Sequence, residues 1–183
     1  KQLDCAQTVL LGGGIANTFL KAKGVSVGKS LFEKSALNIA RKLLYEAASK
    51  HTALIFPVDS IALDTKLGKV HTLEVGSIKK EDAIMDIGPK TIKLYSEYLL
   101  NAQTIIFNGP MGKYEEERFA KGTKQLIVAT STSQALSVVG GGDTIALITN
   151  RRVAEGISHI STGGGAMLEF IENGSLPAID ALN

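Results

Sequence analysis

The chain repeats one pattern five times: a short, continuously apolar, β-rich run that ends in a turn. The runs are TVLLGGG (8–14), TALIFPV (52–58), TIIFNGP (104–110), LSVVGGG (136–142) and ISHISTGGG (157–165). An apolar strand without polar alternation is buried on both faces, which is the mark of a parallel sheet. Helical patterns lie between the runs. EKSALNIARKLLYEAASK (33–50) sets Leu37, Ala40, Leu44 and Ala47 on one stripe. PKTIKLYSEYLLNA (89–102) offers Pro89 as a first helical residue, followed by Ile92, Tyr95 and Leu99. YEEERFAKGTKQLIVATS (114–131) opens with Glu115, Glu116 and Glu117, charges suited to a helix N-terminus. Strands alternating with helices predict βαβ units and an α/β, three-layer sandwich around a doubly wound, mainly parallel, Rossmann-like sheet. The 64–83 stretch, with Gly68 and Gly76 among polar residues, reads as a small hairpin leaving that sheet. No composition shift or low-complexity linker marks a boundary, so residues 1–183 read as one domain.

Composition excludes several partners. The 183 residues are 44% hydrophobic and 21% charged, with a net charge of +2, as in ordinary globular proteins. The basic residues are scattered, so neither nucleic acid nor an anionic membrane is expected as a partner. The apolar runs are far shorter than the ~18 residues a membrane helix needs. Cys5 is the only cysteine, so no internal disulfide can form, which fits a reducing, cytoplasmic compartment. It is expected to be a small buried apolar group. No signal peptide is visible in residues 1–15. Asn173-Gly174-Ser175 matches a glycosylation sequon only formally. The chain opens at Lys1 and runs almost at once into a strand, so it is expected to be a fragment of something longer.

Three of the five runs end in glycine triplets, at 12–14, 140–142 and 163–165. Each follows a strand pattern and precedes a helical one. Ligands of an open parallel sheet sit beyond the carboxyl ends of its strands, so all three are expected along one rim. There the bare amides at a helix N-terminus attract anions, phosphates above all. The common phosphate motifs do not match. A dinucleotide fingerprint needs a third glycine three residues after the second, but those positions hold Asn17, Ile145 and Leu168. GKS at 28–30 imitates a P-loop, yet Lys23 stands where its first glycine must be. Asp143 and Thr144 sharpen the second triplet. Asp143 is either a helix cap or the carboxylate of a Mg²⁺ site completed by phosphate oxygens and water; Thr144 could add a hydroxyl to the same phosphate.

Seven blocks in order, LLGGGIANTFLKAKG (10–24), GKSLFE (28–33), FPVD (56–59), MDIGPKTI (85–92), FNGPMGKYE (107–115), GGGDT (140–144) and SHISTGGGAMLEFIENGSLP (158–177), closely resemble the C-terminal half of phosphoglycerate kinases. The resemblance implies reversible phosphoryl transfer between 1,3-bisphosphoglycerate and MgADP, giving 3-phosphoglycerate and MgATP. It implies that this chain carries the nucleotide half, with the glycerate bound by an N-terminal domain absent here. By the same resemblance, Gly12 and Gly13 would pack on the adenine, with Leu31 and Met85 completing an apolar slot. Asn108, Gly109 and Pro110 would face the phosphates, Gly112 would lie beside the base and Glu115 would bind the ribose hydroxyls. Gly140, Gly141, Gly142, Asp143 and Thr144 would take the phosphates and the metal. Gly163, Gly164 and Gly165 would stabilise the phosphoryl group in flight, a reaction that depends on positioning and charge. Two departures concern what lies upstream: the glycerate domain with its arginine, and a GGAK segment with its lysines. A third is Lys113, standing where many members have an apolar residue near the base.

The implied partners are ADP or ATP with Mg²⁺, in a monomer. Two other readings stay open: an NAD-type Rossmann oxidoreductase domain, against which the missing glycine argues, and a catalytically inactive nucleotide- or anion-binding module. His159 is expected to be a satisfied structural histidine, and His51 and His71 loop or helix-end residues. No His, Cys or Asp cluster has zinc spacing, and no GxSxG serine elbow is present.

Overall fold

A computed structural model describes residues 6–181, so Cys5 lies outside the described residues. The chain forms two compact units.

The larger unit contains residues 6–95 and 110–123. Its elements are β1 (Thr8–Leu10), α1 (Gly13–Ala22), α2 (Leu37–Ser49), β2 (Ala53–Ile55), β3 (Asp59–Asp64), β4 (Val70–Glu74), β5 (Asp82–Ile87) and the start of α3 (Pro89–Leu100). β1 and β2 pair in parallel, Val9 opposite Leu54. The core forms where α1 and α2 cover that pair. Leu11, Ala16, Phe19 and Ala40 are buried together, with Leu44, Leu54 and Phe56 packed on them. The stripe of α2 is as expected, with Ala40 and Ala47 buried. The buried Tyr95 hydroxyl donates to the Leu11 carbonyl at 2.7 Å and the Ile55 carbonyl at 3.1 Å. It thereby ties α3 to the ends of both strands.

β4, β3 and β5 form an antiparallel sheet in that order. The expected small hairpin is thus a three-stranded sheet spanning 59–87, and His71 lies in strand β4 rather than in a loop. The GKS stretch is welded to this sheet. Lys29 N–H donates to the Asp82 carbonyl, Ser30 Oγ accepts from Ile84 N–H, and the Lys29 ammonium pairs with Glu81. This is the structural role, not a phosphate loop.

The smaller unit contains residues 96–109 and 124–181. It adds β6 (Thr104–Asn108), most of α4 (Lys121–Thr132), β7 (Leu136–Gly140), α5 (Gly142–Ile145), α6 (Arg151–Glu155), β8 (His159–Ser161), α7 (Gly164–Asn173) and α8 (Pro177–Asp180). β6, β7 and β8 pair in parallel, in that order. Two serines clasp β7 to the start of β8: Ser137 N–H donates to Ser158 Oγ and Ser158 N–H to Ser137 Oγ, at 3.0 and 3.1 Å.

The α/β class with parallel strands is therefore as expected, with pairing in two parallel sheets and one antiparallel sheet. Three finer expectations are corrected. β6 alternates, with Ile105 and Phe107 buried but Ile106 47% exposed, so it is not buried on both faces. The helix expected from Glu115 begins at Lys121, after a 3₁₀ turn at Glu117–Phe119; Glu116 instead pairs with Lys113 and Arg118. His159 is exposed on β8 rather than satisfied in the core. Among the described residues no helix is long and apolar enough to cross a membrane.

A buried carboxylate starts α3. Asp59, at the head of β3, accepts from Lys90 N–H at 3.0 Å, Thr91 N–H at 2.8 Å and Thr91 Oγ1 at 2.7 Å. These amides are helix-terminal donors with no partner inside the helix. Asp59→Ala would leave them and the buried Thr91 hydroxyl without that acceptor. It is expected to lower unfolding free energy by about 2–3 kcal/mol, measured by urea denaturation; a loss below about 0.5 kcal/mol would contradict this account of the helix start.

Candidate functional site

The register of the smaller sheet fixes the first half of the site. Asn108 lies opposite Gly140, and Gly140 opposite Ser161. All three parallel strands therefore end at one level, and the turns that follow share one rim. The second and third glycine triplets open there, as expected.

They also touch. A side-chain carbon on Gly164 would lie 2.6 Å from both Gly141 N and Gly141 Cα, so the two turns meet main chain to main chain. Gly141 takes φ +92°, a left-handed conformation that glycine adopts without strain. Asn108 Oδ1 reaches the same place, within 3.0 Å of where a Gly141 side chain would begin. Gly109 N–H donates to Thr144 Oγ1 at 3.0 Å. Thr144 is fully buried, so its hydroxyl locks the 108–110 turn to α5.

What remains open at this rim is selective. Gly142 and Gly165 have open space where a side chain would stand. Gly163 and Gly165 are exposed, while Gly164 is buried against its neighbour turn. Gly163 caps α7 and makes no side-chain cap hydrogen bond. Asp143 is exposed in the first turn of α5. No group of three His, Cys, Asp or Glu residues that could hold a metal occurs among the described residues. A metal at Asp143 would thus draw its other ligands from an anion and water, which suits Mg²⁺.

The remaining candidates lie in the larger unit. The first triplet follows β1 and opens α1. Gly13 N–H donates to the Met111 carbonyl at 3.1 Å, and the Met111 thioether lies directly over Gly12. Beside Gly14, at 3.7 Å from the place of its missing side chain, stands Leu31 Cδ2. Leu31 is 79% exposed, yet its carbonyl is held by Nδ2 of the buried Asn17 at 3.0 Å. An apolar side chain is thus held out in water beside a bare glycine turn. Met85 is the extra residue of a β-bulge, since Ile61 pairs with Asp86 and Ala62 with Ile84. Such bulges re-aim side chains and are common beside active sites. The Met85 carbonyl accepts from Lys113 N–H at 2.7 Å, which fixes Gly112 against it. Glu115 is exposed. The Lys113 ammonium turns to Glu116 at 2.7 Å.

A model of the phosphoglycerate kinase family matches residues 1–174. The chain belongs to the phosphoglycerate kinase family. It is 45% identical over 178 residues to the phosphoglycerate kinase of Koribacter versatilis, covering 95% of this chain and 44% of that one. With the phosphoglycerate kinase of Pelotomaculum thermopropionicum it shares 46% over 182 residues, 98% of this chain and 46% of the other. The solved phosphoglycerate kinase of Coxiella burnetii superposes with a TM-score of 0.90 at 42% identity, over 97% of this chain and 46% of that structure. That of Pyrococcus horikoshii OT3 gives 0.74 at 37%, over 99% and 46%. The chain thus spans less than half the length of these family members.

Sequence reasoning missed Met111, whose sulphur roofs Gly12, and Asp86, buried beside the Met85 bulge. An acid amid MDIGP carries no signal of its long-range partner, the Gly122 amide 36 residues away. The rim makes a paired prediction. Gly164→Ala is expected to cost about 1–3 kcal/mol by overpacking against Gly141. Gly165→Ala, in open space on a helix, is expected to be neutral or to stabilise by up to about 1 kcal/mol. Thermal melts of the two variants check this; equal effects would contradict the contact between the turns.

Proposed function

We propose that this chain is the C-terminal, nucleotide-binding half of a phosphoglycerate kinase, serving reversible phosphoryl transfer between 1,3-bisphosphoglycerate and MgADP. The observation that carries the reading is the shared rim, where two glycine turns touch main chain to main chain and still leave Gly142 and Gly165 open. An anion that approaches there meets amides and helix N-terminal dipole rather than side chains. Family membership says which anion to expect.

The roles then follow. Gly12, Gly13, Leu31, Met85 and Gly112 take the adenine, Met111 packs above the first glycine turn, and Glu115 accepts from the ribose hydroxyls. Asn108, Gly109, Pro110 and Gly140–Gly142 face the phosphates. Asp143 holds Mg²⁺, which would neutralise charge on the phosphate oxygens. Thr144 acts through Gly109: its buried hydroxyl accepts from the Gly109 amide and so positions the turn. The amides of Gly163–Gly165 stabilise the equatorial oxygens of the phosphoryl group in transfer; one well-aimed donor of this kind is worth roughly 10²–10³ in rate. Phosphoglycerate reaches the reaction through the N-terminal domain of the whole enzyme, a monomeric cytoplasmic protein.

The 183-residue polypeptide alone is expected to bind MgADP without turnover, because transfer also needs the groups that hold the glycerate. Titration calorimetry with MgADP tests the binding; no heat at millimolar nucleotide would contradict it. Asp143→Ala is expected to abolish the Mg²⁺ dependence of nucleotide binding while the melting temperature changes little. Loss of the fold instead would show that the carboxylate is only a helix cap.

A further inference from the structure

Asp86 is a buried acid that the roles above do not use. It is 1% exposed, and burial pushes its carboxyl up to about 6 against the pull of two main-chain amides. Those amides are Ile87 N–H on Oδ1 at 2.9 Å and Gly122 N–H on Oδ2 at 2.7 Å. The carboxylate lies in a cradle of two glycines. A side chain on Gly112 would strike Oδ1 at 2.5 Å, and one on Gly122 would also strike the carboxylate. Gly112 and Gly122 lie near the two ends of the 110–123 segment. Asp86 also lines a small cavity with Gly13, Asn17, Ser60 and Met111.

Among that segment's ties to the rest of its unit are three hydrogen bonds. Met111 accepts from Gly13, Lys113 donates to Met85, and Gly122 donates to Asp86. The first two connect residues assigned to the adenine slot. The third is made to a carboxylate, and a charge-assisted hydrogen bond is about twice as strong as a neutral one. A carboxylate kept in a dry interior without a cation costs stability. Only burial and the two amides shift its titration, and none of the cavity's other lining residues is titratable. The sign follows. With its folded value above the unfolded one, Asp86 contributes stability at low pH that is lost as pH rises through about 6. At neutral pH the fold therefore carries an ionised Asp86 at a cost, and the return for it is the tie to Gly122.

We propose that Asp86 is a positioning residue for the adenine slot: its carboxylate clamps the 110–122 segment onto the Met85 bulge, so that Met111 and Gly112 are held beside Gly12 and Gly13. Asp86 touches no nucleotide atom and acts through that segment. The inference rests on the nucleotide reading above and adds to it a residue that sets affinity for the base and leaves the phosphates alone.

Three probes separate these ideas: adenosine, MgADP and magnesium pyrophosphate. Each is titrated into the wild-type chain, Asp86→Asn and Asp86→Ser, with melts to show that the variants are folded. Asp86→Asn copies the neutral acid; Asp86→Ser removes the carboxylate without placing an amide donor against Gly122. The loss of one such bond is expected to weaken adenosine and MgADP by the same factor, about 5- to 20-fold, and to leave pyrophosphate unchanged. Wild-type affinity for adenosine, which has no titrating group of its own from about pH 5 to 8, is expected to fall as pH is lowered through about 6. In both variants it should be flat at the weaker value. Unchanged adenosine affinity in folded variants would overturn the proposal, as would equal weakening of all three probes or a wild-type profile flat in pH. Should both variants unfold, the wild-type adenosine profile decides: a fall through about pH 6 supports the clamp, and a flat profile overturns it. Wild-type chain that binds neither adenosine nor MgADP would instead overturn the nucleotide reading, and this inference with it.

Discussion

The site depends on a register. Three parallel strands, β6, β7 and β8, are paired so that Asn108, Gly140 and Ser161 stand abreast. Parallel pairing puts every carboxyl end on the same side, and this register ends the strands at the same height. The turns that follow have no choice but to crowd one another. Glycine at 141 and 164 is what lets them do so, since either position with a side chain would meet its neighbour's main chain or the Asn108 amide. The bare rim left behind, with Gly142 and Gly165 open, is a surface of donors. Main-chain amides have fixed direction and no rotamers to lose, so such a surface is preorganised for an anion at little entropic cost.

In the larger unit the same logic is carried out with buried polar side chains rather than with strand register. Asn17 holds the Leu31 carbonyl, Asp59 starts α3, Tyr95 ties α3 to β1 and β2, and Asp86 clamps the 110–122 segment. Each bonds a main-chain donor or acceptor of another segment and so fixes that segment in place. The exposed Leu31 is one such fixed position, and in the proposed reading it meets the adenine.

Much of this was legible in the sequence, and the reasons are specific. Each of the five runs contains a strand because β-branched and apolar residues cluster there ahead of a turn. The triplets open helices, as their place between a strand pattern and a helical one predicts, and α2 shows its buried stripe at Ala40 and Ala47 because helical periodicity is a local property. What stayed hidden is long-range. The start of α4 was misplaced because three glutamates suit a helix N-terminus, yet Glu116 is drawn into pairs with Lys113 and Arg118. Thr144 reads as a phosphate ligand in GGGDT; only the fold shows its hydroxyl buried on Gly109. Asp86 and Met111 carry their meaning in contacts with Gly122 and Gly12, which no spacing reveals. The antiparallel sheet of 59–87 was underestimated because its outer strand, Val70–Glu74, is mostly exposed and polar.

In the proposed reading, bare amides on one rim receive the phosphates. Amide chemical shifts followed by NMR during a titration with MgADP test it directly. The account predicts that the resonances of Gly142, Asp143 and Gly165 move together and saturate at one nucleotide per chain. Saturable binding that shifts other amides and leaves those three in place would contradict it.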